Sequence, residues 1–321
     1  MRFFWLLCAL TFLIGCGSDT QENKVPLKIG TNLWPGYEML YLAKHKGYFE
    51  TDKVDVVQHA SASEVMSALL SNQINAAGLT LDETLQVWDK GYPIEIVLVT
   101  DVSDGGDMLL TKPEITEVYD LKGKVLGLED SALGAYMLER FLQFSGLKTG
   151  DFTTKTLTID QHSAAFASGD VDAVITFDPQ AAKIKATGAN LLFSSKDIPN
   201  EIIDVIVVSS GANKPSYENI QHLINGYYAA LSDFQQKSPD DISFISQRLG
   251  ISEQHTQEAY QQLKLPSKDE SLALMSLGGV MINSLNYMSF ILEKSKIIQK
   301  GCQCREIINI DYLGQTVSKE E

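Results

Sequence analysis

The sequence predicts a two-lobed α/β protein, and three observations carry that reading. Strand-like and helix-like stretches alternate through the first two thirds of the chain, and helix-period segments dominate from Tyr217 onward. The length beyond Pro26 also suits two domains better than one core.

The first fifteen residues form a targeting segment. Arg2 gives a positive start, residues 3–14 make an uncharged apolar run, and Leu13-Ile14-Gly15-Cys16 closes it. Twelve residues fall short of the roughly 20 that span hydrocarbon as a helix, so a cleaved signal is expected. The Leu-Ile-Gly-Cys ending resembles a bacterial lipobox. That resemblance implies cleavage before Cys16, which then carries acyl chains and anchors the protein on the periplasmic or cell-surface side of a bacterial membrane. Residues 16–25 comprise this cysteine and a polar tether without periodicity. Gly17 after the cysteine leaves inner or outer membrane open.

Cleavage removes one cation and no acid, leaving 25 Lys+Arg against 41 Asp+Glu, a net of −16. So acidic a surface repels phosphate backbones and anionic lipid, which argues against nucleic acid as a partner. Of four cysteines only Cys302 and Cys304 remain, too few for a disulfide framework. Free or loosely paired thiols are expected there, and no metal site.

Along the folded part, residues 28–33 read as a strand that delivers the turn Trp34-Pro35-Gly36-Tyr37 onto a helix ending near Gly47. Residues 53–59 form a strand, and Ser61 with Glu64 makes a capping box opening a helix to Asn72. Residues 75–79 are a short strand, and Thr80 with Glu83 opens the next helix. The β-branched run 94–99 has the look of a fully buried strand. The pattern repeats with strands at 124–128, 152–159 and 173–176, and helices at 132–144, 163–167 and 179–186. Asp178-Pro179 supplies a cap and a first helical position. Strands at 191–194 and 202–208 follow, then helices at 220–236, 240–249, 253–263 and 271–294. Residues 272–292 lack charge, but Ser276, Gly279, Asn283 and Asn286 make a polar stripe, so a core-facing amphipathic helix is expected rather than a span. Crossovers at 101–110 and 194–204 put lobe 1 at 26–103 and 204–313, lobe 2 at 104–203, and a tail at 314–321.

Residues 28–49, KIGTNLWPGYEMLYLAKHKGYF, resemble the opening of periplasmic substrate-binding proteins of the nitrate/sulfonate/taurine ABC-importer class, which includes receptors for thiamine-precursor pyrimidines. DVSDGGDMLL at 101–110, LKGKVLGLEDSALGAYMLERFL at 121–142, AFASGDVDAVITFDP at 165–179 and the closing IDYL at 310–313 match in order. The resemblance implies a class II periplasmic-binding-protein fold with C-terminal packing helices. It also implies a monomer that captures a small molecule by hinge closure and delivers it to a permease and ATPase, with no catalytic residue and no cofactor. Four loops then face the cleft: Trp34, Pro35, Gly36, Tyr37 and Glu38; Thr80 and Asp82; Ser103, Gly105, Gly106 and Asp107; and Ser131, Leu133 and Gly134. Thr176 and Asp178 form a fifth edge.

Read physically, Trp34 and Tyr37 offer aromatic faces to a flat or cationic ligand, or else plug the lobe surface. Gly105-Gly106 gives hinge freedom, ligand-facing N–H groups or a plain turn. The helix start at Ser131 is an anion site or a simple cap. The loops hold Glu38, Asp82, Asp104, Asp107, Glu129, Asp130 and Asp178 and no Lys or Arg, which favours a cationic or heteroaromatic ligand over a free anion. The five histidines lack metal-ligand spacing and read as surface or helix residues. Two alternatives stand beside the importer reading: a receptor for a membrane signalling protein, and an enzyme like the pyrimidine synthases of the same superfamily. Cys302-Gln303-Cys304 does not reproduce the iron motif of those synthases.

Overall fold

The computed structural model describes residues 26–302 and 304–314. The expected signal, Cys16 and the tether lie outside the described residues. The chain opens with β1 (Leu27–Thr31), α1 (Glu38–His45), β2 (Val54–Gln58), α2 (Ala62–Leu70), β3 (Ala76–Thr80), α3 (Leu81–Asp89) and β4 (Ile94–Ser103). It continues through β5 (Met108–Thr111), β6 (Val125–Glu129), α4 (Ala132–Ser145), β7 (Thr153–Leu157), α5 (His162–Ser168), β8 (Ala173–Thr176), α6 (Gln180–Lys185) and β9 (Asn190–Ser194). Then come β10 (Ile203–Ser209), α7 (Tyr217–Phe234), α8 (Pro239–Leu249), α9 (Glu253–Tyr260), β11 (Leu263–Lys264), α10 (Lys268–Met275), α11 (Val280–Lys294) and α12 (Asp311–Gly314).

Two sheets form, as a two-lobed protein requires. One has the order β11-β4-β10-β3-β1-β2, the other β7-β6-β8-β5-β9. In each, three strands run parallel (β2-β1-β3, β7-β6-β8), and an antiparallel strand from beyond the crossover (β10 or β5) lies against the third. The buried β-branched composition of β4 and β10 suits central strands covered on both faces. The capping residues set helix starts where the spacing indicates: Ser61 Oγ accepts from Glu64 N, and Thr80 N donates to Glu83 Oε2 at 3.0 Å.

Three elements differ from the sequence reading. The stretch 271–294 is not one helix: α10 and α11 meet at about 50° across residues 276–279. Gly278 there has φ +83°, and a Cβ on Gly279 would fall 2.3 Å from the Leu274 carbonyl oxygen. Two glycines therefore end one helix and admit the next, a break that counting polar residues does not reveal. Asn283 and Asn286 do face solvent, and Met281, Leu285, Met288 and Leu292 face the core. Among the described residues no single helix is long and apolar enough to cross a membrane. Next, α9 stops at Tyr260, because the following residues turn into β11, which pairs antiparallel with the end of β4. Finally, α6 begins at Gln180 with Pro179 as its cap position, while the Asp178 carboxylate accepts from Ala182 N at 2.7 Å.

The two chain crossings between the sheets are stitched side by side. Ser103 Oγ and Ser195 Oγ are 2.7 Å apart, Gly105 N donates to Ser195 Oγ at 2.8 Å, and Ser195 N donates to the Asp107 carbonyl at 2.9 Å. All of these groups are buried, so each bond removed leaves an orphaned partner. Ser195→Ala is expected to cost about 1–3 kcal/mol in urea denaturation.

Candidate functional site

The site starts at the end of β1. The chain leaves the sheet at Asn32, and Pro35 fixes the first turn of a short helical segment, Pro35–Tyr37, that runs into α1. Tyr260 OH donates to the Pro35 carbonyl at 2.8 Å and pins this turn from behind. The turn projects two aromatic rings toward buried acids. Trp34 Nε1 donates to Asp101 Oδ2 at 3.2 Å, and Tyr37 OH donates to Asp204 Oδ1 at 2.5 Å. Gly36 makes this possible: a Cβ there would sit 1.8 Å from Asp101 Oδ2.

Opposite the turn, β3 ends and α3 begins, placing Asp82 and Glu83 in a helix's first turn, where the macrodipole favours negative charge. Asp107 follows the first crossover and Glu129 ends β6, so acids arrive from both sheets. Glu83, Asp107, Glu129 and Asp204 line a narrow cavity between the sheets together with Asn32, Trp34, Tyr37, Ala62, Thr80, Leu133 and Phe177. Trp34 meets Phe177 edge to face, with ring centroids 5.5 Å apart. Water-sized spheres can place their centres in only about 20 Å³ of it, roughly the room of one water. A second cavity shares Asp107, Glu129, Leu133 and Phe177 and extends to Ser131, Gly134, His162, Ile175 and Thr176.

No Lys or Arg belongs to either lining, so burial dominates the acids. It pushes Asp82 and Asp101 up to about 7 and Asp107 to about 6. Glu83 rises to about 8 through burial and then the adjacent Asp82. Burial, then the nearby Asp101, holds Asp204 well above the usual carboxylate range, and Glu129 is raised mainly by burial. Asp101 Oδ1 and Asp107 Oδ2 are buried with no hydrogen-bond partner in the protein. Among the described residues no group of three or more His, Cys, Asp or Glu is placed to hold a metal ion.

The residues expected to face a ligand separate into three sets. Trp34, Tyr37, Thr80, Asp107 and Leu133 line the first cavity, with Ser131, Gly134 and Thr176 in its extension. Pro35, Gly36, Ser103 and Gly105 shape the walls by the bonds and close approaches already given. Gly106 lies against Trp34, to which a Cβ would come within 2.9 Å. Asp82 is fully buried behind the lining.

Glu38 and Asp178 have partners within the protein, and the cap expected at Asp178 forms. Arg248 clamps the Glu38 carboxylate with bonds of 2.6 and 3.2 Å and lies 3.5 Å over the Tyr41 ring, so Glu38 is an internal ion pair of lobe 1. Asp178 is occupied as a helix cap. Asp104 pairs with Lys264 at 3.2 Å, a cation that its own loop does not contain. At Ser131 the hydroxyl takes the Gly134 N–H at 3.1 Å, the capping arrangement, with Glu129 alongside.

Eight cavity residues went unnamed as ligand contacts: Asn32, Ala62, Glu83, Glu129, His162, Ile175, Phe177 and Asp204. Asp204, like Asp101 behind it, had a legible signal, a carboxylate set inside an otherwise apolar strand (IEIVLVTDVS, IDVIVVS). His162 is buried rather than at the surface. Cys302 and Cys304 are free thiols near the C-terminus, outside both cavity linings.

A family model described as NMT1/THI5 like matches residues 34–232, more than half of the chain. The taurine-binding periplasmic protein of Escherichia coli (strain K12) is 23% identical over 213 residues, covering 62% of this chain and 65% of its own length. A 4-amino-5-hydroxymethyl-2-methylpyrimidine phosphate synthase of Aspergillus parasiticus is 26% identical over 159 residues, 48% of this chain and 46% of its own length. The chain thus spans just under two thirds of the first relative and about half of the second. Among solved structures, the alkanesulfonate-binding protein SsuA from Xanthomonas axonopodis pv. citri bound to MOPS superposes with a TM-score of 0.74 at 19% identity. That match covers 89% of this chain and 98% of that one. The fold is therefore the two-lobed binding-protein fold.

Two outcomes follow from the electrostatics. Glu38→Gln is expected to lower stability by roughly 1–3 kcal/mol, since it leaves Arg248 without its charge partner. Any ligand should then bind as before, a result calorimetry of the variant checks. The second concerns pH. Asp82, Glu83, Asp101 and Asp107 have folded-state pKa values of about 6 to 8, above those of an unfolded chain, so the folded protein holds more protons in between. Their contribution to stability is present near pH 4 and is lost as pH rises to about 8, and the melting temperature of the ligand-free protein should fall from pH 5 to pH 8.

Proposed function

The chain belongs to the NMT1/THI5-like family, and from that premise we propose that it is a solute receptor enclosing a small organic cation between its lobes. It hands the solute to the permease and ATPase of an ABC importer on the periplasmic or cell-surface side of a bacterial membrane, held there by lipid at Cys16. The supporting relatives are named for taurine and alkanesulfonate binding.

One observation carries the ligand class: four carboxyl groups and three aromatic rings line the first cavity, with no Lys or Arg among them. A free anion entering it would lose its hydration beside carboxyls and find no cation in exchange. An ammonium or a protonated heteroaromatic amine finds both a counter-charge and π faces. Trp34, Tyr37, Glu83, Asp107, Glu129, Phe177 and Asp204 are the residues assigned to it. What supports a receptor over an enzyme is the placement of the thiols of Cys302 and Cys304 outside the cavity linings.

A cation binds the ionised carboxylates, whereas Asp107 holds its proton to about pH 6 and Glu83 to about pH 8. Binding should then release protons and tighten as pH rises from 6 to 8, as long as the ligand stays charged. The decisive experiment is calorimetry of the purified protein against primary amines, aminopyrimidines and alkanesulfonates at pH 6 and 8. Cationic members should bind, more tightly at pH 8, and Asp107→Asn should weaken them about ten-fold or more. Binding by sulfonates alone would overturn the reading.

A further inference from the structure

The lobe 2 end of the cleft carries a polar group that the cation reading leaves unused. His162, the first residue of α5, is 1% exposed, and its Nδ1 lies 3.0 Å from Thr176 Oγ1 at the end of β8. Its Nε2 is buried and has no hydrogen-bond partner. A buried ring nitrogen left unpaired in such a place is unfavourable, so it calls for an occupant. His162 and Thr176 line the second cavity, which shares Asp107, Glu129, Leu133 and Phe177 with the lining of the acid-walled one.

Resting on the cationic reading, we infer that the cleft has a second pole, where His162 Nε2 hydrogen-bonds a neutral polar group at the far end of the same ligand. The ligand is then bifunctional: a cation at the acid pole and an uncharged donor or acceptor, such as a ring nitrogen, hydroxyl or amide, at the histidine pole.

Neutrality of that second group follows from what faces it. Glu129 and Asp107 line the same cavity, and Ser131 Oγ already takes the Gly134 N–H at the start of α4. Burial also lowers His162 to about 4, so the imidazole is uncharged at neutral pH and offers one hydrogen bond, not a counter-ion. An anion at this pole would meet carboxyls and no cation. Phe177 borders both cavities, and Trp34 stands against its edge, which suits a flat connection between the two groups.

A matched pair of probes tests this without relying on any variant: benzylamine, and 4-(aminomethyl)pyridine, which adds one neutral ring nitrogen. The wild-type protein should prefer the pyridine by about ten-fold, the worth of one satisfied buried group. His162→Leu should reduce that preference to within about two-fold, and His162→Gln should restore part of it. Equal binding of the pair by the wild type, or a preference that survives His162→Leu, overturns the second pole and leaves the cationic reading standing. If neither amine binds while an alkanesulfonate does, the cationic reading fails and the second pole falls with it.

Discussion

Four carboxyl groups line the space between the sheets and two more lie buried behind them, and the surrounding structure is arranged around their burial. Asp82, Glu83, Asp101 and Asp204 come from the first sheet and its helix, while Asp107 and Glu129 come from the side of the second. Ionised together in a dry cleft they would repel one another and lose their hydration. The protein relieves this in several ways at once. The α3 dipole lies under Asp82 and Glu83, Trp34 and Tyr37 donate to Asp101 and Asp204, and raised pKa values keep part of the set protonated. The turn at Pro35 and the missing side chain at Gly36 are what those two aromatic donors require. The fold's local peculiarities thus trace back to one electrostatic problem.

The hinge belongs to the same account. Asp107 follows the first crossover directly, and its carbonyl accepts from Ser195 N on the second. Its backbone is therefore fixed to the stitched crossings, while its carboxylate faces the cavity with an unpartnered oxygen. On the proposed reading, a ligand charge near Asp107 would act beside the two crossings that join the sheets.

Much of the architecture was legible in the sequence because it is written locally. Capping boxes at Ser61 and Thr80, the β-branched runs of β4 and β10, and the alternation of short periods depend on neighbours a few residues apart. The cavity lining was legible only where it is local too, in the Trp34–Tyr37 turn and around Asp107. What escaped is non-local. Arg248 reaches Glu38 across 210 positions, and Lys264 reaches Asp104 from a two-residue strand at the sheet edge. Asp101 and Asp204 become neighbours of the ligand space only because β4 and β10 pair. His162 is buried because α5 packs back on β8. Charge counted along a loop therefore could not show that Glu38 and Asp104 find their cations far along the chain.

The strand order also governs when each sheet can exist. The second sheet uses β5 to β9 alone, so all of its strands are in hand once Ser194 has left the ribosome or the export channel. The first sheet cannot close then, because β10 lies between β3 and β4 and separates them in space. Until residues 203–209 arrive, β4 has no partner among the strands already made, and its apolar edge stands open. The later lobe in sequence is thus the first that can be completed, and the opening strands of the chain must wait until β11, more than two hundred residues on, before their sheet is whole.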